Sequence, residues 1–439
     1  MAKTVSWAKG LSSILFWSII SAAFIGPGTV TTASKAGASF GIGLLWALIF
    51  SIIATVVLQE AAARITLASG KNLGQIIGLR FRQKRGLHWL VFLAIAFGCA
   101  AYQAGNILGA ISGLLLFTTI SPQLGTLLIA LVCFGFLWIG NYKIIARLLG
   151  VVVALMGILF IYVATYSTYS LTDIISASVL PTYLEGSGLL IIGLIGTTIV
   201  PYNLFLGSGI SKGQSIKEMR IGLIIAILIG GLISVAILLA GTQVEGDFSF
   251  SALAATLSDR VGKWGLVFFG MGLFSAGLSS SITSPLAAAV TAQSLLGQGE
   301  SAWSARGKYF RLVWGAILLV GLVFGLLEVK PIPAIILAQA INGALLPLVA
   351  IFLFLIANDK KIIGHQFTNG WLSNVLTLLI VGLSCFLGLN NVVKAFGNTF
   401  GLVLGERYFL YLIILSIIIV ILLFWLVFIK QDKPSAVEK

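Results

Sequence analysis

Charged side chains are scarce in this sequence. Asp, Glu, Lys and Arg make up 9% of its 439 residues, whereas hydrophobic residues make up 59%. Because a soluble globular chain carries about 25% charged residues, this composition excludes that class. It indicates an all-α integral membrane protein that crosses the bilayer many times.

Cysteine is also rare, with three residues in the chain. Cys99, Cys133 and Cys385 are scattered through apolar runs, which excludes a disulfide framework and a metal-binding cysteine spacing. The sequence shows no pair of membrane carboxylates, no histidine cluster and no nucleophile beside a base. We therefore expect that the protein is not an enzyme and holds no cofactor, with Na⁺ as the one candidate.

About twelve apolar runs are long enough to cross a bilayer, at about 20 residues per transmembrane helix. They lie near 12–36, 42–68, 88–117, 123–140, 147–167, 187–210, 220–241, 263–296, 310–327, 333–356, 371–391 and 406–429. The first run follows a basic segment without a small-residue cleavage site, so we expect it to be retained as a span. The length of the last run permits a full crossing but does not establish one.

The placement of the net charge of +14 predicts the orientation. With the N-terminus in the cytoplasm, most basic loops, such as 80–85 and 360–361, fall inside, and most acids, such as Glu185 and Asp247, fall outside. This asymmetry follows the positive-inside rule. We expect a monomeric, multi-pass cell-membrane protein whose partners are the lipid bilayer and a small solute or ion, without nucleic acid.

Proline and glycine interrupt the first and the sixth apolar runs. The first reads AAFIGPGTVTTASKAG over 22–37, and the sixth reads GLIGTTIVPYNLFLGSGISKG over 193–213. Paired interruptions in two inverted halves indicate a transporter site, because irregular backbone at membrane depth is tolerated where it lines a cavity. We predict two inverted repeats, 1–170 and 185–358, with further helices at 371–430, and breaks that free backbone groups for a substrate. Two coincidental proline kinks are the alternative.

Several motifs carry a resemblance to a known family. The stretches GPGTVTTASKAGASFGIGLLW, LQEAAARITLASGKNLGQIIG, VPYNLFLGS, FSAGLSSSITSPLA and IILAQAINGALLPL occur in this order. Together they resemble the Nramp family of divalent-metal transporters over at least the first ten spans. The resemblance implies a LeuT-type fold of five plus five inverted helices, with helices 1 and 6 unwound at the centre. It also implies alternating access and proton-coupled import of manganese or iron.

The departures from this family concern its metal ligands and its proton route. The family motif Asp-Pro-Gly-Asn is here Gly26-Pro27-Gly28-Thr29, and Met-Pro-His-Asn is here Val200-Pro201-Tyr202-Asn203. In the third span, Gln103 and Asn106 align with an Asp and a Glu of the family, and a second family histidine aligns with Gly207. A divalent cation needs strong ligands to offset its dehydration, and proton coupling needs a group that titrates.

These comparisons predict a substrate site of neutral residues and two alternatives for its cargo. The first is a small polar solute, with Na⁺ coupling, carried by a scaffold that has lost its metal site and proton route. The second is a divalent cation, Mn²⁺, Fe²⁺ or Mg²⁺, held by carbonyl and neutral side-chain oxygens. The predicted substrate-binding residues are Gly26, Thr29, Gln103, Asn106, Thr197, Val200, Tyr202, Asn203 and Gln339. For Gln103 and Asn106, bonding between helices is the alternative to lining a cavity.

The eighth span contains the hydroxyl-rich run AGLSSSITS, residues 276–284. It is similar to the Ala-Gly-Leu-Thr-Ser-Ser run with which sodium-coupled LeuT-type transporters bind Na⁺ beside their broken first helix. The resemblance implies a Na⁺ site formed by Ala22, Ile25, Ala276, Ser279 and Ser280. The alternative is that these serines bond only to neighbouring helices.

Three charged residues lie inside apolar runs. Glu60 and Arg64 are four residues apart, a spacing that predicts an ion pair on one helix near its cytoplasmic end. We expect Lys35 to extend its ammonium to the outer surface. The alternative is a cation in the outer vestibule that repels metal ions and favours an anionic or zwitterionic solute.

Overall fold

The structure is a computed structural model that describes residues 25–81, 84–140, 143–210, 215–297, 300–400 and 407–429. In these residues the chain folds into α-helices joined by short loops. The helices are α1 Pro27–Phe40, α2 Leu45–Ser69, α3 Leu73–Arg80, α4 Arg85–Leu115, α5 Pro122–Ile139, α6 Lys143–Ala164, α7 Leu171–Val179, α8 Gly188–Thr198, α9 Pro201–Ile210, α10 Ile216–Gly241, α11 Phe250–Val261, α12 Trp264–Leu296, α13 Lys308–Leu326, α14 Pro331–Ala357, α15 Lys360–Ile363, α16 Trp371–Phe400 and α17 Tyr408–Phe424.

Eleven helical stretches in the described part of the chain are long and apolar enough to cross a membrane. They coincide with the second to twelfth predicted runs. The last of them covers Tyr408–Ile429, which is long enough for a full crossing. The first predicted run continues into α1, but its residues 12–24 lie outside the described residues.

The structure shows the predicted break in the sixth run, and in the first run it shows extended backbone and a helix start at the predicted position. Gly26 is extended, with φ −91° and ψ 177°, and α1 starts directly after it at Pro27. In the sixth run, α8 stops at Thr198, Ile199 turns away with ψ 83°, and α9 starts at Pro201. Both positions suit proline, because proline lacks the N–H that a helix interior needs but fits the first turn of a new helix.

Helix α4 lies at the centre of the packing and contacts α12, α13 and α14. Its contact with α12 is close because Gly113 has no side chain. A Cβ atom there would lie 2.5 Å from the backbone nitrogen of Phe274. Helix α1 packs against α4 as well as α8, α10 and α14. The segments at the two interruptions therefore lie in direct contact within a tightly packed interior.

Candidate substrate site

The two broken segments are joined by a pair of threonines. The hydroxyl oxygens of Thr29 in α1 and Thr197 in α8 lie 2.9 Å apart, within hydrogen-bond distance. Both side chains are buried, with exposed fractions of 1% and 3%. The structure therefore brings together two of the predicted site residues, one from each half of the chain.

Gln339 of α14 lies directly against the start of α1. A Cβ atom on Gly28 would lie 2.1 Å from Gln339 Nε2, so the glycine leaves the space that this amide occupies. Gln339 is 1% exposed, and its Oε1 has no hydrogen-bond partner within the described residues. A third helix thus contributes a buried amide beside the first break.

Helix α4 contributes Gln103 and Asn106, both buried. Gln103 Nε2 donates to the carbonyl oxygen of Ser281 in α12 at 3.1 Å, whereas Gln103 Oε1 finds no partner in the part of the chain that is described. Asn106 Nδ2 also has no hydrogen-bond partner within the described residues. Gln103 thus bonds between helices with one end of its amide, and the other end remains available.

Tyr202, in the first turn of α9, contacts Tyr102 of α4. Their rings meet edge to face with centroids 5.6 Å apart. The Tyr102 hydroxyl donates to the carbonyl oxygen of Gly196 in the last turn of α8. Tyr102 is a residue of this centre that the sequence pattern did not predict. Its position next to Gln103, on an otherwise apolar helix, is the signal that could have identified it.

Four carbonyl groups around the second break have donors of the protein within hydrogen-bond distance. That of Gly196 accepts from the Tyr102 hydroxyl, and that of Thr198 lies 3.3 Å from the Thr55 hydroxyl, which makes its shorter bond to the Ser51 carbonyl at 2.7 Å. Those of Ile195 and Val200 accept from backbone N–H groups at 2.9 and 3.0 Å. Each carbonyl oxygen has two lone pairs, so one acceptor position remains on each for a ligand.

The remaining predicted residues lie at or directly beside the breaks. Val200 is 4% exposed and lies between α8 and α9. Asn203 is buried in the first turn of α9, and its Nδ2 has no partner among the described residues. Gly26 faces α12, where a Cβ atom on it would lie 3.4 Å from Ser280 Oγ.

This last contact places one residue of the predicted Na⁺ site beside the first break. Ser280 is buried, and Ile25 lies next to Gly26. Ser279 Oγ donates to the carbonyl of Ala276 at 3.4 Å, so that carbonyl is already used within α12. Ala22 lies outside the described residues. Na⁺ binding at these residues stays a prediction.

The charged residues of the spans lie apart from this centre. Glu60 accepts from Arg64 at 3.0 Å, as predicted, and also from Arg220 at 2.8 Å. Lys35 is half-buried, with its Nζ 5.9 Å from the centroid of the Phe248 ring. Within the described residues, no three His, Cys, Asp or Glu side chains are grouped as metal ligands.

The centre is therefore polar but neutral, with several hydrogen-bonding atoms unpaired. Among the buried side-chain atoms without a protein partner in the described ranges are Gln103 Oε1, Asn106 Nδ2, Asn203 Nδ2, Ser281 Oγ and Gln339 Oε1. Leaving such a group unsatisfied costs about 1–3 kcal/mol. Five of them on helices around the two breaks indicate a place that binds water or a polar ligand.

Comparison with known proteins agrees with this architecture. The family model described as natural resistance-associated macrophage protein-like matches residues 18–394. The divalent metal cation transporter MntH of Deinococcus radiodurans is 25% identical over 397 residues, which cover 84% of this chain and 87% of that protein. MntH of Verminephrobacter eiseniae is 24% identical over 388 residues, covering 84% of this chain and 86% of that protein.

A solved structure gives the same result for the fold. The crystal structure of the Eremococcus coleocola manganese transporter mutant H236A superposes with a TM-score of 0.73. The sequences are 19% identical, and the match covers 97% of this chain and 95% of that chain. This likeness confirms the predicted fold class of a LeuT-type, all-α membrane protein.

Proposed function

Because this chain belongs to the Nramp family, which its family match over residues 18–394 establishes, we propose that it is a secondary transporter working by alternating access. Membership in a family of transporters confirms that the chain is not an enzyme and that it resides in the bilayer. The two broken helices support alternating access, since discontinuous helices at the midplane form the substrate sites of many secondary transporters.

The cargo that the site supports best is a small, polar, uncharged or zwitterionic solute. One observation carries this proposal: the centre offers unpaired donors and acceptors together, without an ionised group. Asn106 and Asn203 supply N–H donors, and Gln103 and Gln339 supply oxygen acceptors. A polar organic solute can satisfy both kinds of group at once, whereas a bare cation can use only the acceptors.

The energetics of metal binding support the same choice. Mg²⁺ and Ca²⁺ bind through oxygen ligands in which carboxylates are prominent, and Mg²⁺ loses its waters reluctantly. Soft thioether and thiolate ligands select other metals. At the two breaks this chain has Gly26, Thr29 and Val200, which supply none of these side chains.

The comparisons favour a second candidate, transport of a divalent metal cation. The relatives in Deinococcus and Verminephrobacter are both named divalent metal cation transporters. Such a cation would bind here through neutral oxygens, those of Thr29, Gln103 and Gln339, and would keep several of its waters. Sequence similarity to these relatives favours a divalent cation as the cargo. The chemistry of the centre favours a polar solute.

A binding screen separates the two candidates. Purified protein is tested by thermal shift and calorimetry against Mn²⁺, Mg²⁺ and a set of small polar metabolites. We expect a metabolite, and no divalent cation, to stabilise the protein, and Gln339→Leu to remove the effect. Gln59→Leu is the matched control, because Gln59 is a buried amide of α2 that is not among the predicted substrate-binding residues. Saturable Mn²⁺ binding that Gln339→Leu weakens would establish the second candidate instead.

A further inference from the structure

A small cavity lies behind the second break, on the side of α8 that faces α2 and α10. Its volume is about 10 Å³, and it is lined by Thr55, Thr198, Ile227, Gly230, Gly231 and Ser234. This is close to the smallest space that holds one water-sized species. None of these residues belongs to the predicted substrate site or to the predicted Na⁺ site around Ser280.

The three hydroxyl groups that line the cavity donate their protons to backbone carbonyls of their own helices. Thr55 donates to the carbonyl of Ser51 at 2.7 Å, Thr198 to that of Leu194 at 3.0 Å and Ser234 to that of Gly230 at 2.9 Å. Each hydroxyl has one proton, so its oxygen presents lone pairs to its other neighbours. The polar wall of the cavity therefore consists of acceptors.

The end of α8 adds a fourth oxygen. Thr198 is the last residue of α8, and its carbonyl has a hydroxyl contact with Thr55 at 3.3 Å. The shorter bond of Thr55 to Ser51, at 2.7 Å, takes the same proton, which leaves the Thr198 carbonyl oxygen available. The C-terminal end of a helix carries partial negative charge, so a cation is stabilised there.

We propose that this cavity is a Na⁺ site formed by the hydroxyl oxygens of Thr55, Thr198 and Ser234 and the carbonyl oxygen of Thr198. A small monovalent cation matches the volume and the set of neutral oxygens, and half-helix C-terminal ends hold Na⁺ in other transporters. Its position against α8 connects Na⁺ binding to the conformation of the second break. The proposal does not depend on the identity of the cargo.

The test measures Na⁺ binding without any cargo. Thermal unfolding of the purified full chain is followed in NaCl, KCl and choline chloride at equal ionic strength, together with equilibrium binding of radioactive sodium. We expect stabilisation by Na⁺ over K⁺ and choline. Ser234→Ala and Thr198→Val should each lower the Na⁺ affinity about tenfold or more, since loss of even an outer-shell partner has that effect on metal affinity.

Three further variants decide where any Na⁺ effect arises. Ser51→Ala is the matched control, because Ser51 is a buried hydroxyl of α2 that bonds to the Leu48 carbonyl and does not line the cavity. Ser51→Ala should keep the wild-type affinity, and Thr198→Ser should restore it. Equal stability of the wild type in all three salts would mean that the cavity holds only water. A Na⁺ effect lost in Ser280→Ala but kept in Ser234→Ala would place the ion at the other site. Either result overturns the proposal.

Discussion

At the scale of single residues, the neutral side chains at the breaks decide what the centre can bind. Gly26 leaves room beside Ser280, and the hydroxyl of Thr29 is within hydrogen-bond distance of that of Thr197. Gln103 uses one end of its amide to bond to α12. The polar groups of the centre thus combine structural bonds with unpaired atoms, and none of these three side chains carries a charge.

Restoring the family motif should create metal binding, because it places a carboxylate and a thioether at the two breaks. We expect the triple variant Gly26→Asp, Thr29→Asn and Val200→Met to bind Mn²⁺ measurably where the wild type does not. A Cβ atom on Gly26 meets Ser280 Oγ at 3.4 Å, an ordinary contact, and the φ of −91° suits any residue. The carboxylate and thioether add the ligands that the wild type lacks.

Calorimetric titration with Mn²⁺ checks this prediction. The matched control replaces Gly26 by Asn in the same triple background, which keeps the size of the side chain but removes its charge. The control should bind Mn²⁺ more weakly than the Asp variant. Equal Mn²⁺ affinity of the wild type and the triple variant would show that positions 26, 29 and 200 are not the cargo site.

At the scale of helices, the sequence predicts where the elements lie but not how their polar groups pair. The breaks could be predicted because Pro27 and Pro201 each start a new helix within an apolar run. The bond from Tyr102 to the Gly196 carbonyl could not, because it joins residues 94 positions apart whose packing no local pattern encodes. For the same reason the pair of Glu60 with Arg64, one turn apart, could be predicted, whereas the contact of Glu60 with Arg220 could not.

This ion cluster should contribute unequally to stability. Arg64 has a side chain that is 4% exposed, and it also donates to the Phe367 carbonyl and the Asn369 side chain. Glu60→Gln leaves this buried guanidinium without its counter-ion, and we expect a loss of about 3 kcal/mol, at the low end for a buried pair. Arg220 is 51% exposed, so Arg220→Gln should cost at most about 1 kcal/mol.

Thermal unfolding of both variants in detergent measures the difference. Arg220→Gln is the matched control, since it removes a partner of the same Glu60 carboxylate from the exposed side. We expect a clearly larger fall in Tm for Glu60→Gln. Similar falls in the two variants would mean that the buried Glu60–Arg64 pair contributes no more to stability than the exposed contact with Arg220.

At the scale of the whole molecule, charge placement predicts how the bundle sits in the bilayer. The loop between α3 and α4 is rich in Arg and Lys, whereas the segment between α7 and α8 contains Glu185. The positive-inside rule places the first loop in the cytoplasm and the second segment outside. An odd number of spans lies between the two segments, so they must be on opposite sides of the membrane. Labelling one residue in each segment therefore tests the predicted orientation.

Cysteine labelling gives that measurement. Cys99, Cys133 and Cys385 are buried, so replacing them by Ala provides a background with little reactive thiol. Single cysteines then replace the exposed residues Lys84 and Glu185. In intact cells, a membrane-impermeant maleimide should label the Glu185→Cys variant and leave Lys84→Cys unlabelled, and permeabilised cells should label both. The reverse pattern would place the N-terminus outside, and labelling of both variants in intact cells would contradict the number of spans between them.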